Sequence, residues 1–437
     1  MLARPGTATE PDFWANTALT VSAIDPIDIA SASLFPSDLE DAIELTAGLL
    51  CFSSNQQFLL TSDDTVLDPN TAKLKPVSSY NYNPKAAPIS LGLTVGFIDN
   101  SNKYSRLMEM TGVGREAEPV VSNTTLLVPT LIPKEADLTT VSRENNILFV
   151  GQSYAGSNTS TSDLVYGFKY LLGEEGRKQG AWFKWRLSNP VKYMFIINDE
   201  FFYLDSDDFL QKINLLQSSD EVVVDDDQEG DFRIHLDNHV PITGGSYVAD
   251  TDITTFTNVS WLSDVTQLWA THDLVIVDRD TASTRIGRYA KCTVNGTTIT
   301  VRGDWSGSNY TIGYNFVYRV RLPKFYMKKM EGTQLDTDLS GYLTIHRLNF
   351  NFGKVGLYET VISRVCKEDY EDIHESTPAD EYEVGDAPYL LDEIKTIPVY
   401  EKNTNVEVTL KSEHPSPATL RSLTWEGDYS PRNYRRV

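Results

Sequence analysis

The sequence predicts an all-β protein: a partial β-propeller of antiparallel meander blades, then smaller barrel- or sandwich-like β domains, with very little helix. Three observations carry this. Apolar residues recur at period two, which lays them on one face of a strand. Gly, Asn, Asp, Ser and Pro punctuate these runs where turns are required. Hairpin follows hairpin from residue 49 to 217 at blade-like spacing, although the sequence itself does not repeat.

In chain order, Ser37-Asp-Leu-Glu40 has capping-box spacing, and Leu39, Ile43 and Ala47 form a stripe, predicting one short helix that ends near Gly48. Leu49–Phe52 with Gln57–Thr61, and Leu91–Asp99 with Ser105–Met110, read as hairpins. Ile147–Ser153, Leu164–Leu171 and Ala181–Leu187 read as a third sheet. Tyr193–Asn198, Glu200–Asp205 and Phe209–Leu216 read as a fourth. Asp220–Asp231 reads as an acidic loop. The β-rich runs either side of Asn295-Gly296 predict a hairpin closed by a type I′ turn. Ile312–Leu322 reads as one strand with Ile312, Tyr314, Phe316, Tyr318, Val320 and Leu322 inward, and His346–Phe352 as another with Leu348, Phe350 and Phe352 inward. These elements divide the chain into propeller-like blades over 1–217, a hairpin-rich domain over 218–330 and a C-terminal antiparallel domain over 331–437 that carries an acidic loop at 368–393.

The 437 residues carry 38 Lys+Arg against 61 Asp+Glu, a net charge of −23, and 41% are hydrophobic, enough for large cores. Such acidity argues against a sequence-reading nucleic-acid binder and against anchoring on anionic membrane. No apolar run is long enough to span a bilayer, and Met1–Asp12 lacks the features of a signal peptide. Cys51, Cys292 and Cys366 are too few and too scattered for a disulfide framework or a zinc site, and read as buried free thiols.

The charge is concentrated. Asp199–Asp231 holds 12 acidic residues and one basic, and Lys367–Glu393 holds 11 and one, so these segments supply −21 of the −23. Asp220, Glu221, Asp225, Asp226, Asp227, Glu229 and Asp231, with Glu368, Asp369, Glu371 and Asp372, are therefore candidates for a surface that repels a polyanion or docks a basic partner.

Catalytic patterns are weak. Gly151-Gln-Ser153-Tyr-Ala155 has the small-residue spacing of a nucleophile elbow, but the loop-forming Ser157–Asp163 follows where a helix is needed. His235, Asp237 and His239 fall on a strand end, where they do not converge on a metal. Asp225–Asp231 has the acidity of a calcium loop, yet Leu236 stands where the bidentate Glu belongs. No carboxylate pair is singled out for glycoside hydrolysis. The residues point to a structural or interaction protein that is not an enzyme and needs no cofactor or metal.

Asp12-Phe-Trp-Ala, then Ala23-Ile-Asp25-Pro26-Ile-Asp28-Ile29, Leu49–Ser53, Gln57–Ser62, Leu67–Leu74, Ile312–Leu322, Gly341–Phe350 and the closing Leu423-Thr-Trp425-Glu426-Gly427-Asp-Tyr429 follow one another along the chain. In this collinear order they resemble the tail nozzle family of short-tailed bacteriophages, also called tail tubular protein B. The resemblance implies a propeller-containing virion protein of the phage tail, assembled as a homo-hexameric ring beneath the portal and the adaptor ring. It implies docking of tail fibres and passage of viral double-stranded DNA without sequence recognition. Family members carry a long part before the Asp-Pro-Ile-Asp segment, whereas this chain starts almost at it. Either a separate N-terminal nozzle polypeptide or a split or mis-started reading frame is implied. The alternative reading is a tail receptor-binding or polysaccharide-depolymerising protein.

Two further expectations follow. Residues 1–217 form an incomplete propeller whose open side another chain covers. Trp425 and Tyr429 are buried, with Gly427 in a turn.

Overall fold

The computed structural model describes residues 27, 29, 38–45, 48–62, 67–92, 94–111, 120–157, 159–173, 176–215, 222–224, 231–233, 235–263, 273–280, 287–307, 309–331, 334–374, 391–416 and 418–431. Its regular structure is almost entirely antiparallel β, with one α-helical turn at Thr159–Ser162 and one 3-10 turn at Ser260–Ser263 among the described residues. The chain divides into two compact units, Met1–Leu216 and Gln217–Val437.

Among the described residues the first unit shows four blades, each built from consecutive strands. Blade 1 comprises Leu39–Leu45, Gly48–Ser53, Gln57–Ser62 and Ala72–Ser78. Blade 2 comprises Ile89–Ser90, Val95–Asp99, Arg106–Thr111 and Val120–Asn123. Blade 3 comprises Leu138–Ser142, Ile147–Gly151, Leu164–Gly173 and Gly176–Arg186. Blade 4 has three strands, Val191–Ile197, Glu200–Asp205 and Leu210–Ile213.

Neighbouring blades bury their faces against each other. Leu50 and Phe52 of blade 1 meet Val95, Phe97, Met108 and Met110 of blade 2. Ile98 and Leu107 of blade 2 meet Leu148, Val150 and Phe168 of blade 3. Phe149 and Val165 of blade 3 meet Met194, Phe201 and Tyr203 of blade 4. Leu148 and Val150 thus face one neighbour while Phe149 faces the other. A strand covered on both sides needs an unbroken apolar run, which is what Leu148-Phe149-Val150 supplies. In blade 3, Gly167 pairs with Phe183, whose ring occupies the space a Cβ would take, so the glycine leaves a seat for the aromatic.

The second unit contains a seven-stranded sheet in the order Asp237–Ile242, Tyr310–Tyr314, Leu274–Asp278, Tyr289–Asn295, Thr298–Arg302, Ile253–Phe256, Ser246–Val248. Its core gathers Phe256, Ile276, Ile299, Trp305 and Ile312. A β-sandwich follows. One sheet runs Tyr318–Arg321, Val406–Ser412, Tyr358–Arg364, Tyr370–His374, and the other runs Leu391–Lys402, Tyr342–Val355, Ala418–Ser430. Leu348, Phe350 and Phe352 point into its core with Ile362, Ile397, Val408 and Leu410, as the period-two pattern of His346–Phe352 predicts.

Four sequence expectations are corrected. The predicted helix from Ser37 to Gly48 is the strand Leu39–Leu45, paired from Leu45↔Gly48 to Leu39↔Ser53; alternating burial and sheet pairing override a local capping signal. Ile312–Leu322 is two strands in two sheets, broken at Asn315–Val317, which leaves Phe316 and Tyr318 exposed. Asn315 makes the break: it is buried, and its amide donates to the Glu413 carbonyl. The 290–301 hairpin pairs Asn295 with Thr298, so its loop is Gly296-Thr297; only Gly296 takes positive φ (61°), as a type II′ turn asks, and Asn295 stays in the strand. Of the three cysteines, Cys51 is buried and Cys292 half-buried, with burial pushing both thiols up, Cys292 to about 12, but Cys366 is exposed in a turn with φ 60°.

Candidate functional site

In the first acidic stretch, Asp220, Glu221, Asp225, Asp226, Asp227 and Glu229 lie outside the described residues. Val222–Val224 pairs with Asp231–Arg233, so a short two-stranded ribbon stands in part of what reads as a loop; β-branched Val222, Val223 and Val224 favour it.

The second stretch begins and ends in the sandwich. Glu368 and Asp369 follow Lys367 in an exposed turn, and Lys367 turns away to bind Glu401 at 2.6 Å, which holds the Glu401 carboxyl below its usual range. Glu371, on the edge strand Tyr370–His374, is exposed. Asp372 and His374 alternate to the opposite side, into the sandwich. Facing them, from the edge strand Leu391–Lys402 of the other sheet, stand Glu393 and Lys395. His374 Nε2 lies 2.6 Å from Glu393 Oε2, and Lys395 Nζ lies 3.4 Å from Asp372 Oδ2. The Tyr358 ring packs 4.8 Å from His374, and burial together with Glu393 and Asp372 pushes its phenol up.

The root of the acidic stretch is therefore a polar seam between two sheet edges. Glu368, Asp369 and Glu371 present charge to solvent, while Asp372 spends its charge on Lys395 and is no part of an outward acidic surface. Residues 375–390 lie outside the described residues.

The closing motif lies on the Ala418–Ser430 strand. Trp425 pairs with Leu348 and Tyr429 with Leu343; both are half-buried against the sandwich core rather than fully enclosed, because this strand is the edge of its sheet. The Tyr429 hydroxyl donates to Asp338. Glu426 lies 3.2 Å from Arg347 Nε and accepts from Asn349 Nδ2 at 3.3 Å. Gly427 sits in the strand and not in a turn. A Cβ there would strike the Thr344 carbonyl, at a register shift between Ile345 and Arg347, so the glycine allows a close backbone approach. Asp25, Pro26 and Asp28 lie outside the described residues, whereas Ile27 and Ile29 between and after them are half-buried.

Ser153 donates from Oγ to Asp137 Oδ2 at 2.5 Å, and its backbone N–H donates to Asp137 Oδ1 at 2.7 Å. It follows the strand Ile147–Gly151 and no helix starts at it, so the nucleophile-elbow geometry is not built. His239 Nδ1 sits 3.2 Å from the Leu236 carbonyl, and the His235 backbone N–H donates to the Pro415 carbonyl. Among the described residues no group of three or more His, Cys, Asp or Glu is placed to hold a metal ion, and no helix is long and apolar enough to cross a membrane.

The family model described as bacteriophage nozzle protein matches residues 7–436. The chain belongs to the bacteriophage nozzle protein family. It is accordingly a structural component of a phage tail. Tail tubular protein gp12 of Escherichia phage T7 is 21% identical over 378 residues, covering 82% of this chain and 44% of gp12. The chain thus spans less than half the length of that relative. Among solved structures, the exo-β-1,3-galactanase of Phanerochaete chrysosporium aligns over 86% of this chain and 78% of its own at 9% identity and a TM-score of 0.22, too loose a superposition to carry an argument.

Two features of this nozzle protein escape sequence reasoning. One is the pairing of His374 and Lys395 with Glu393 and Asp372. Its signal is an inverted alternation over Glu371–His374, where apolar Ile373 is exposed while Asp372 and His374 turn inward. The other is an apolar outer face on blade 1, where Leu39 and Leu49 are exposed beside Ile27, Ile29 and Leu74.

Proposed function

We propose that this chain is a non-enzymatic wall subunit of the tail nozzle, assembled as a homo-hexameric ring below the adaptor ring, through which double-stranded DNA leaves the particle. The observation that carries this reading is the nozzle-family match over residues 7–436. The charge distribution supplies the mechanism. A conduit must not grip its cargo, because each phosphate neutralised by a basic group adds binding free energy and slows sliding. Two segments hold −21 of the net −23, and the carboxylates among them that face solvent would give the opposite, a wall that repels the phosphate backbone and keeps a hydrated gap. Closed rotational symmetry would repeat each patch around the ring.

In this reading the Asp220–Asp231 segment and the solvent-facing Glu368, Asp369 and Glu371 line the channel or guard its mouth. Their alternative use is to dock a basic patch of a tail fibre or of the adaptor. Neutralising Asp225, Asp226, Asp227, Glu229 and Asp231 to Asn or Gln tests both. A channel role gives assembled particles whose DNA ejection is slowed. A docking role gives particles that lack fibres or fail to assemble. Normal particles with normal ejection kinetics would refute both.

A further inference from the structure

On the central strand of the sandwich, Tyr342–Val355, Ile345 and Leu348 are buried, while His346 and Arg347 between them both turn outward. Two register faults produce this. Against Ala418–Ser430, Ile345 pairs with Gly427 and Arg347 with Glu426, so His346 is an extra residue. Against Leu391–Lys402, Ile345 pairs with Glu401 and Arg347 with Pro398, so Val399 and Tyr400 both stand opposite His346. Bulges on both sides of one residue aim side chains that a regular pleat would send elsewhere. Gly427 admits the first by its close approach to Thr344. At the second, Tyr400 takes φ 46°, the left-handed region, which a bulky aromatic seldom enters.

The bulges assemble a polar platform around an aromatic plate. The Tyr400 ring is 63% exposed and stacks on the His346 ring, with centroids 5.6 Å apart and planes 25° from parallel. His346 Nε2 lies 3.4 Å from Asp428 Oδ2. Arg347 Nε lies 3.2 Å from Glu426 Oε2, and Glu426 also accepts from Asn349. Lys402, two residues from Tyr400, holds its ammonium 4.8 Å from the centre of the Tyr342 ring.

We propose that this platform binds a neutral pyranose oligosaccharide, with Tyr400 as the stacking plate. The proposal goes beyond the nozzle-wall reading and does not rest on it. The backbone of Tyr400 is the observation that carries it. An exposed ring contributes little to packing, and glycine would hold φ 46° without strain, so folding alone gives no reason for tyrosine at this position. An aromatic held there serves a contact outside the chain. The neighbours supply the chemistry of the occupant. A pyranose presents a face of C–H groups, which suits the electron-rich face of a phenol ring, and hydroxyls that both donate and accept. Beside the plate, Arg347 and Asn349 are donors and Glu426 and Asp428 are acceptors, held in place by their mutual contacts and by His346. Arg347 and Lys402 balance Glu426 and Asp428, so the platform offers no net charge to a phosphate backbone or a sulfated glycan.

The test uses the purified full-length chain and saturation-transfer NMR. The probes are neutral hexasaccharides of glucose, galactose, mannose and N-acetylglucosamine in their common linkages, with a heparin hexasaccharide for contrast. Transfer to the C–H protons of at least one neutral hexasaccharide is expected. Its affinity should fall by about ten-fold or more in Tyr400→Ala and in Tyr400→Gly. It should be unchanged in Tyr193→Ala, which removes an equally exposed tyrosine, 64%, on blade 4. Tyr400→Gly separates binding from folding: relief of the backbone should hold or raise the melting temperature while the sugar is lost. A Tyr400→Gly chain that melts lower would make the tyrosine a structural clamp on His346 and overturn the proposal. Binding that survives both Tyr400 substitutions, a preference for heparin, or no transfer to any neutral hexasaccharide would overturn it too. None of these outcomes touches the family assignment, which rests on the match over residues 7–436.

Discussion

His374 and Glu393 stand on edge strands of opposite sheets and meet at 2.6 Å, joining the two ends of the second acidic stretch across the open side of the sandwich. The pair is largely shielded, with the His374 side chain 10% and the Glu393 side chain 32% exposed. Removing one partner strands the other in a poorly solvated seam beside Asp372 and Tyr358. Glu393→Gln is expected to cost about 1–2 kcal/mol in urea unfolding, discounted from fully buried pairs for the partial exposure. A double-mutant cycle with His374→Gln gives the coupling. Additive losses would mean that the contact contributes nothing net.

The outward and inward acids of this stretch separate by mutation. Glu368→Gln, Asp369→Asn and Glu371→Gln together should change stability by less than about 0.5 kcal/mol per site, because these side chains are exposed. Asp372→Asn should cost more, since it leaves Lys395 half-buried without its counter-charge. Chemical denaturation of the four single variants checks the ranking.

Two buried phenols differ in what they hold. The Tyr82 hydroxyl donates to Asp41 Oδ2 at 2.9 Å and to the Ala86 carbonyl at 3.2 Å, whereas the Tyr358 hydroxyl has no partner among the described residues. Tyr82→Phe should therefore cost about 1 kcal/mol, and Tyr358→Phe should be neutral or stabilising. Burial raises both phenols above the unfolded value near 10. Their contribution is thus fully present below pH 10 and is lost as pH rises, when the unfolded chain ionises and the folded one resists. Stability measured from pH 8 to 11 should fall less steeply in Tyr358→Phe than in the wild type.

At the closing motif, Gly427→Ala must displace the backbone at Thr344, and a loss of about 1–3 kcal/mol is expected. Trp425→Ala should cost about 2 kcal/mol, below the range for a fully buried Trp, because this indole is only half-enclosed. Thermal melts of both variants decide; an unchanged Gly427→Ala melt would show that the strand can shift to admit a methyl.

The blades were legible in the sequence because their information is local. Each hairpin declares itself by turn residues and a buried run, and Gln57–Ser62, Arg106–Thr111 and Glu200–Asp205 all fall where that reading puts them. What was not legible depends on distant partners. Ser37-x-x-Glu40 is a sound helix start until Gly48–Ser53 offers a sheet to join. The alternation through Ile312–Leu322 runs on unbroken while the chain changes sheets at Asn315, since pleat parity survives such a move. In the candidate site, charge density singles out the acidic stretches in the sequence, but which carboxylates at the root of the second turn away from water depends on Lys395 and His374 across the seam.

The order of strands within the sheets bears on how the chain acquires its structure. In the first unit every described sheet is made of strands adjacent in sequence, so the pairing loops to be closed are short. In the second unit, Tyr342–Val355 pairs with Ala418–Ser430, and Tyr318–Arg321 with Val406–Ser412, spans of some 80 residues that cannot close until the last strands leave the ribosome. Synthesis should therefore deliver a chain whose first half is already folded while its second half waits for its final residues, and a pulse of hydrogen exchange during refolding should protect Phe97 and Phe149 well before Leu348 and Phe350.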